Sequence, residues 1–266
     1  MAFVEENKNG VVYMKSTLIP ARHAFTTRLG GVSRGAFKSL NLGASRGDLN
    51  EHVAENYDIL CRALDLPRDR LVFTHQIHEC SVRRVTGADA HTLFTDVPYD
   101  ADGLVTGEKN LALLAFTADC VPILLCEEDG RAIAAVHAGW RGTAGCIAEK
   151  AVEKLRREYG AVPEKLRAAI GPCIGKCCFE VGVEVADAMF DAIGGSAEKY
   201  VSPKTGFDGK FTVDLRGVNA HILQMAGVRA ENIDISSECT MCLHEKYWSH
   251  RYTKGIRGVQ AAVIIL

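Results

Sequence analysis

A layered α/β sandwich with mixed sheets is the fold the sequence predicts, and three features predict it. Strands and helices intermix without the regular βαβ spacing of a doubly wound sheet. Residues 102–137 carry a dense run of β-type segments, and Glu128-Asp129-Gly130 turns the chain into a hairpin. Residues 143–159 form the clearest amphipathic helix, closed by Gly160 with Pro163 just beyond.

The elements follow in order. Residues 1–25 alternate weakly around Val11-Val12-Tyr13-Met14 and predict a strand or hairpin; 26–35 form a glycine-rich turn segment. Residues 48–66 have helical spacing through Val53, Tyr57, Leu60, Cys61 and Leu64, and Pro67 stops them. Strands are expected at 71–78, 81–85, 103–106, 111–117, 121–126 and 132–137. After the helix come a strand at 166–170, a Gly171-Pro172 turn, helices at 181–193 and 215–225, and strands at 233–236 and 259–266. No linker, low-complexity tract or solenoid period divides the chain, so one domain over 1–266 is expected.

The 266 residues suffice to bury a substantial core, and 47% hydrophobic with 24% charged residues is ordinary for a soluble enzyme. A net charge of −2 gives no global footprint for nucleic acid, although a local basic pocket for a small phosphate stays open. The first residues lack a signal-peptide pattern, and the apolar runs at 111–116 and 121–126 are too short to span a bilayer. A cytoplasmic protein without a membrane partner is therefore expected, its ten cysteines reduced rather than paired in a disulfide scaffold. The oligomeric state is left open.

Three stretches carry metal chemistry: Gln76-Ile77-His78, Ala118-Asp119-Cys120 and His137-Ala138-Gly139-Trp140-Arg141-Gly142. Two imidazoles and a thiolate suit zinc, and three protein ligands leave one position for water or substrate. On a period of two, Gln76 and His78 share a strand face while His75 points away. Cys120 then faces opposite to Asp119, which is better suited to orienting a histidine or Arg141 than to ligation. Helical His-x-x-x-His spacing is absent, which argues against a zincin-type protease. Beyond His137, glycines allow close approach, the following helix N-terminus favours an anion, and Arg141 adds a bidentate donor. The bland alternative makes Cys120 a small buried hydrophobe and the histidines satisfied core residues.

These segments resemble the YfiH family, bacterial relatives of the laccase-domain purine nucleoside enzyme of immune cells. The likeness also runs through 27–43, Ala101-Asp102-Gly103, Ile170-Gly171-Pro172-Cys173-Ile174-Gly175, Phe179-Glu180, Cys239-Thr240-Met241-Cys242 and Ser249-His250-Arg251. It implies a four-layer α/β/β/α fold, with His78, Cys120 and His137 as zinc ligands and catalytic centre. It also implies phosphorolysis of adenosine, inosine, guanosine and methylthioadenosine, with phosphate as co-substrate, and deamination of adenosine. The older family label is a copper polyphenol oxidase, so copper binding in vitro is compatible. The chain departs from the family at Glu79, where a small residue is common, and along 251–257, which differs from the usual arginine-rich ending.

For these reactions Arg28 and Arg141 are the expected phosphate holders, Trp140 a stacking surface for the purine, and Gln76 a further substrate contact. Asp119 and Glu180 are candidate acids for the departing ammonia. As alternatives, Trp140 is core packing and each arginine a surface residue. Neither His-x-Glu nor Pro-Cys-x-x-Cys occurs, so the nucleobase-deaminase design does not apply.

Three competing readings remain. A metal-free Cys–His hydrolase, such as an amidase on cell-wall peptide precursors, would use Cys120 as nucleophile with His137 or His78 as base. A copper phenol oxidase would need histidine pairs, yet the nine histidines include no His-x-His. A binding module would need a structural zinc knuckle from Cys239 and Cys242, with His244, or from Cys173, Cys177 and Cys178. One unmatched Cys-x-x-Cys is a weak signal, and these read as packed or site-adjacent thiols.

Overall fold

The computed structural model describes residues 3–44 and 46–266. Strands β1 (Phe3–Lys8) and β2 (Val11–Ser16) form the expected hairpin, with Asn9 and Gly10 both at positive φ in the two-residue turn. Then follow β3 (Arg22–Thr26), α1 (Asn50–Leu64), β4 (Leu71–Val72), β5 (Val82–Arg84), β6 (Gly103–Thr106), β7 (Ala112–Thr117), β8 (Val121–Glu127) and β9 (Ile133–Ala138). The second half contains α2 (Trp140–Ala144), α3 (Ile147–Tyr159), β10 (Leu166–Ile170), β11 (Glu180–Val181), α4 (Val183–Ile193), β12 (Val201–Pro203) and β13 (Phe211–Val213). It ends with α5 (Leu215–Met225), β14 (Ile233–Ile235), α6 (His250–Thr253) and β15 (Gln260–Ile265).

Two six-stranded sheets result, ordered β1-β2-β3-β15-β7-β4 and β14-β10-β8-β9-β6-β5, beside a small sheet β11-β13-β12. Both large sheets are mixed: β4–β7, β5–β6 and β10–β14 pair in parallel, the other neighbours antiparallel.

Side-chain alternation sets the packing order. In β7, Ala112 and Leu114 face α1, while Leu113 and Ala115 face the second sheet. In β8, Leu124 and Cys126 meet the first sheet, while Ile123 and Leu125 face α3 and α5. These clusters put α1 against the first large sheet, the two large sheets against each other, and α3 and α5 against the second. This packing explains why β7, β8 and β15 read as unbroken apolar runs: both of their faces are covered. Each fully buried Leu or Ile in these interfaces contributes about 1.5–3 kcal/mol. Among the described residues, no helix is long and apolar enough to cross a membrane.

The boundaries differ from expectation in three places. The helix expected at 143–159 divides into α2 and α3, because Cys146 between them takes a left-handed conformation (φ 55°). The strand expected at 71–78 pairs only at Leu71 and Val72; beyond it Thr74 bonds the Ala101 carbonyl and His75 bridges Asp100. The helix expected from 181 begins at Val183, since Val181 pairs with Phe211 in the small sheet.

Candidate metal centre

Sheet register brings two of the three expected ligands together. Val121 pairs with Ala138 and Pro122 with His137, so Cys120, just before β8, lies at the same sheet end as His137. The third, His78, comes from the loop between β4 and β5. That loop is anchored by Asp102, whose carboxylate accepts the backbone N–H of His78 (3.0 Å), Glu79 (2.9 Å) and Ile77 (3.3 Å). The ligand atoms of His78, Cys120 and His137 all lie within 4.8 Å of one another, and the two imidazoles meet edge to face at 4.8 Å.

Asp102 also fixes the chemistry of His137. The imidazole Nδ1 is 2.8 Å from Asp102 Oδ1; a carboxylate only accepts, so Nδ1 carries the proton and Nε2 is left for a metal. Burial raises the Asp102 pKa, but hydrogen bonds from His137, Glu79 and His78, with the His137 charge, hold it below the usual carboxylate value. Burial likewise pushes the Cys120 thiol up, yet the His137 charge and hydrogen bonds from both imidazoles bring it down to about 6. His137 moves the other way, to about 9: burial lowers it, and the Cys120 and Asp102 partners outweigh that. A thiolate beside two imidazoles, one of them oriented by Asp102, is a donor set that fits a zinc-type ion.

Close approach is built into the backbone. His78 (φ 62°) and Asp119 (φ 91°) are non-glycine residues held at positive φ in the two ligand-bearing loops, each costing about 1–3 kcal/mol. A Cβ on Gly139 would sit 3.2 Å from His78 Cδ2, 3.5 Å from Cys120 Sγ and 3.8 Å from His137 Cε1. The first contact is tight enough that His78 would have to give by a few tenths of an ångström, while the other two are ordinary van der Waals contacts.

The three ligands open into a cavity of about 1030 Å³. Phe73, Phe116 and Phe179 contribute aromatic lining and Arg46, Arg251 and Arg257 cationic lining, with His250 also among the lining residues. Arg257 Nε is buried without a hydrogen-bond partner. Burial and the charge of Arg46 both lower the Arg257 pKa, and burial with Arg257, Arg251 and Arg46 lowers that of His250. Cations pressed together over a cavity, one with an unspent donor, make a seat for an anion.

The other expected site residues are placed differently. Gln76 lines the cavity, but its amide clamps Phe116 in β7, donating to the carbonyl at 2.8 Å and accepting the N–H at 2.7 Å. Asp119 lies on the wall without orienting a histidine or Arg141: its oxygens accept from Thr240 Oγ1 and the Arg251 N–H, each at 2.6 Å. The orienting role belongs to Asp102. Arg28 is off the cavity wall, with its guanidinium over Trp248 and donating to the carbonyls of Lys38 and His244. Trp140 packs against the α3 core with Arg141 stacked on its ring at 4.3 Å, so neither faces the cavity. Glu180 also lies outside it, paired with Lys204. His75 lines the cavity but bonds Asp100 and takes no part in the ligand cluster.

The residues that sequence reasoning missed are Asp102, Arg46 and Arg257 as site groups. Asp102 had one available signal: an aspartate opening a strand, in a segment already quoted for the family likeness. The expected stretch around Cys239 also changes: Cys239 and Cys242 gather with Cys177 and Cys178, whereas Cys173 is buried apart and His244 stacks on Tyr252.

Fold and site together define an α/β protein with a transition-metal type donor triad at the floor of a cation-lined cavity. The chain belongs to the YfiH/YlmD family, whose profile, described as multi-copper polyphenol oxidoreductase laccase, matches residues 22–266. It is 35% identical over 243 residues to the purine nucleoside phosphorylase YlmD of Geobacillus stearothermophilus, covering 90% of this chain and 88% of that one. It is 37% identical over 236 residues to adenosine deaminase RL5 of an unknown prokaryotic organism, covering 86% and 87%. The crystal structure of Bacillus licheniformis hypothetical protein YfiH superposes with a TM-score of 0.90 at 32% identity, covering 97% of each chain.

Proposed function

We propose that the protein is a zinc-dependent purine nucleoside enzyme. Its main reaction is phosphorolysis of adenosine, inosine, guanosine and methylthioadenosine, and it deaminates adenosine to inosine at the same centre. The observation that carries this reading is the opening of the His78–Cys120–His137 triad into a cavity lined by both aromatic and cationic side chains. The relatives named for phosphorolysis and for adenosine deamination support both halves.

His78, Cys120 and His137 would hold the ion, and Asp102 would keep His137 in the ligating tautomer. When bound, zinc supplies Lewis acidity that makes water nucleophilic near neutral pH. The aromatic lining residues Phe116 and Phe179 offer stacking surfaces that exclude water from the purine. In phosphorolysis a phosphate oxygen bonds C1′ as the bond from C1′ to the base breaks; the base leaves with the electron pair and takes up a proton. Arg46 and Arg257 hold the phosphate by charge-assisted hydrogen bonds, in place of Arg28 and Arg141. Asp119, with both oxygens engaged, holds the Arg251 backbone in position rather than moving a proton.

A second reading has its own observation. Cys120, His137 and Asp102 form a nucleophile–base–orienter chain with a thiol lowered to about 6, which a metal-free hydrolase on peptide precursors would use. His78 weighs against it, because a second imidazole converging on the sulfur completes a three-donor ligand set that a nucleophile–base pair does not require. Copper oxidation of phenols is not supported: among the described residues His78 and His137 are the only histidines in a metal-type cluster.

The test is to incubate zinc-loaded protein with adenosine, with and without phosphate, and identify products. Adenine and ribose 1-phosphate should form only with phosphate, and inosine in both cases. Absence of all three products would refute the proposal; full hydrolase activity of metal-free protein, lost on thiol alkylation, would favour the second reading.

A further inference from the structure

We infer that Cys177, Cys178, Cys239 and Cys242 form a second, tetrathiolate site for one zinc ion, clasping two chain segments behind the catalytic cavity. Their four sulfurs all lie within 4.8 Å of one another, with Cys242 Sγ 3.6 Å from Cys177 Sγ and 3.4 Å from Cys178 Sγ. Zinc–sulfur bonds of about 2.3 Å in a tetrahedron put sulfurs about 3.8 Å apart. A disulfide needs about 2.05 Å. The group has the spacing of ligands around one ion, and no room for a multi-iron cluster.

Two backbone turns present the sulfurs. Cys173 bridges Cys239 in parallel, and the Thr240 N–H donates to the Cys173 carbonyl, setting the turns side by side. In the first turn the N–H groups of Cys178 and Phe179 return to the Gly175 carbonyl; in the second the Leu243 N–H returns to Cys239. The Gly175 N–H also donates to Cys239 Sγ at 3.2 Å, the kind of bond that spreads thiolate charge into the backbone. A Cβ on Gly175 would come within 3.1 Å of Cys177 Sγ, 3.2 Å of Cys239 Cβ and 3.1 Å of Arg216 Nη2. These contacts are tight, so a side chain at position 175 would have to displace its neighbours by a few tenths of an ångström.

Packing does not account for the cluster. Buried cysteines serve as small hydrophobes, but Cys177 and Cys242 are exposed. Four soft donors at one surface point select zinc among the common divalent ions. The clasp would also support the catalytic cavity: Arg251 Nη1 donates to the Cys178 and Glu180 carbonyls, and the Ile174 N–H donates to the carbonyl of Asp119, next to Cys120.

The site shares no ligand with the catalytic triad, so Cys120→Ala protein isolates it. Zinc-loaded, desalted Cys120→Ala protein should retain one zinc per chain. Its cobalt form should show the intense thiolate charge-transfer and tetrahedral bands of a four-sulfur site. Both should vanish when Cys239→Ser and Cys242→Ser are added. As a readout independent of folding in that variant, zinc should slow alkylation of Cys177 and Cys242 in Cys120→Ala protein at least tenfold relative to chelator-treated protein. Retention of no zinc by Cys120→Ala, or equal alkylation with and without zinc, overturns the proposal. Either result leaves the catalytic reading untouched.

Discussion

Asp102 holds His137 twice: its Oδ1 accepts the imidazole Nδ1–H at 2.8 Å, and its carbonyl accepts the His137 backbone N–H at 2.7 Å. The same carboxylate accepts the N–H groups of His78 and Glu79. One buried side chain therefore sets the orientation of one ligand and the backbone position of another. The triad depends on a residue that ligates nothing.

Asp102→Asn should therefore damage both metal binding and stability. The amide has one acceptor oxygen where the carboxylate has two, so an N–H of the ligand loop would face an NH2 group. Metal affinity should fall about 10–100-fold, measured by competition with a chromophoric chelator. Stability of the metal-free protein should fall by about 1–3 kcal/mol. The acid dependence has a definite sign. The folded pKa of Asp102 is depressed, so its contribution is complete above the ordinary carboxylate value of 3.8 and is lost as pH falls through the lower folded value. Denaturant titrations should show the wild-type advantage over Asp102→Asn shrinking below about pH 4.

Cys120→Ala should abolish phosphorolysis and deamination together, because both reactions are assigned to one centre. Product analysis with adenosine checks this; retention of either reaction would mean the ligand assignment is wrong. The thiol itself offers a further check. In metal-free protein, alkylation of Cys120 should rise with a midpoint near pH 6 rather than the ordinary thiol value of 9.0, because His137 and His78 stabilise the thiolate.

The proposed phosphate site uses Arg46 and Arg257 where the sequence suggested Arg28 and Arg141, and the contrast is measurable. Arg257→Gln should raise the phosphate KM about 10–100-fold, the equivalent of losing a charge-assisted hydrogen bond of about 1.5–3 kcal/mol. Arg141→Gln should leave it within about twofold, since Arg141 stacks on Trp140 away from the cavity. Arg28→Gln should lower thermal stability, because its donors tie the glycine-rich loop to the His244 carbonyl. Initial rates against phosphate for the first two variants and the melting temperature of the third check these outcomes.

That exchange shows what the sequence made legible. His78, Cys120 and His137 stand out because their side chains announce ligand chemistry and each lies beside a recognisable strand or turn. Arg28 carried the same signal, a guanidinium in a glycine-rich segment, yet its donors are taken by carbonyls, one of them 216 residues away. No local pattern reveals such a partner. The apolar runs of β7, β8, β9 and β15 were readable because burial on both faces dictates their composition. β12, β13 and α6, at three or four residues, are too short to express a period. The strand-alternation argument selected His78 over His75 although β4 ends at Val72. His78 converges with Cys120 and His137 for another reason: the Asp102 carboxylate turns the loop.

Gly139→Ala tests whether the spacing of the triad, apart from its composition, matters. The backbone at Gly139 (φ −67°, ψ 174°) suits alanine, and the change at this helix N-cap should cost about 1 kcal/mol or less. The added Cβ nevertheless meets the side chains of His78 and Cys120 at 3.2 and 3.5 Å. His78, exposed and on a loop, is the partner able to yield. Its displacement by a few tenths of an ångström should weaken metal binding and lower kcat about tenfold or more, while the melting temperature of the metal-free protein changes little. Chelator competition and calorimetry on one preparation give both quantities. If kcat and metal affinity match wild type, the triad tolerates displacement, and the glycine is there for the turn alone.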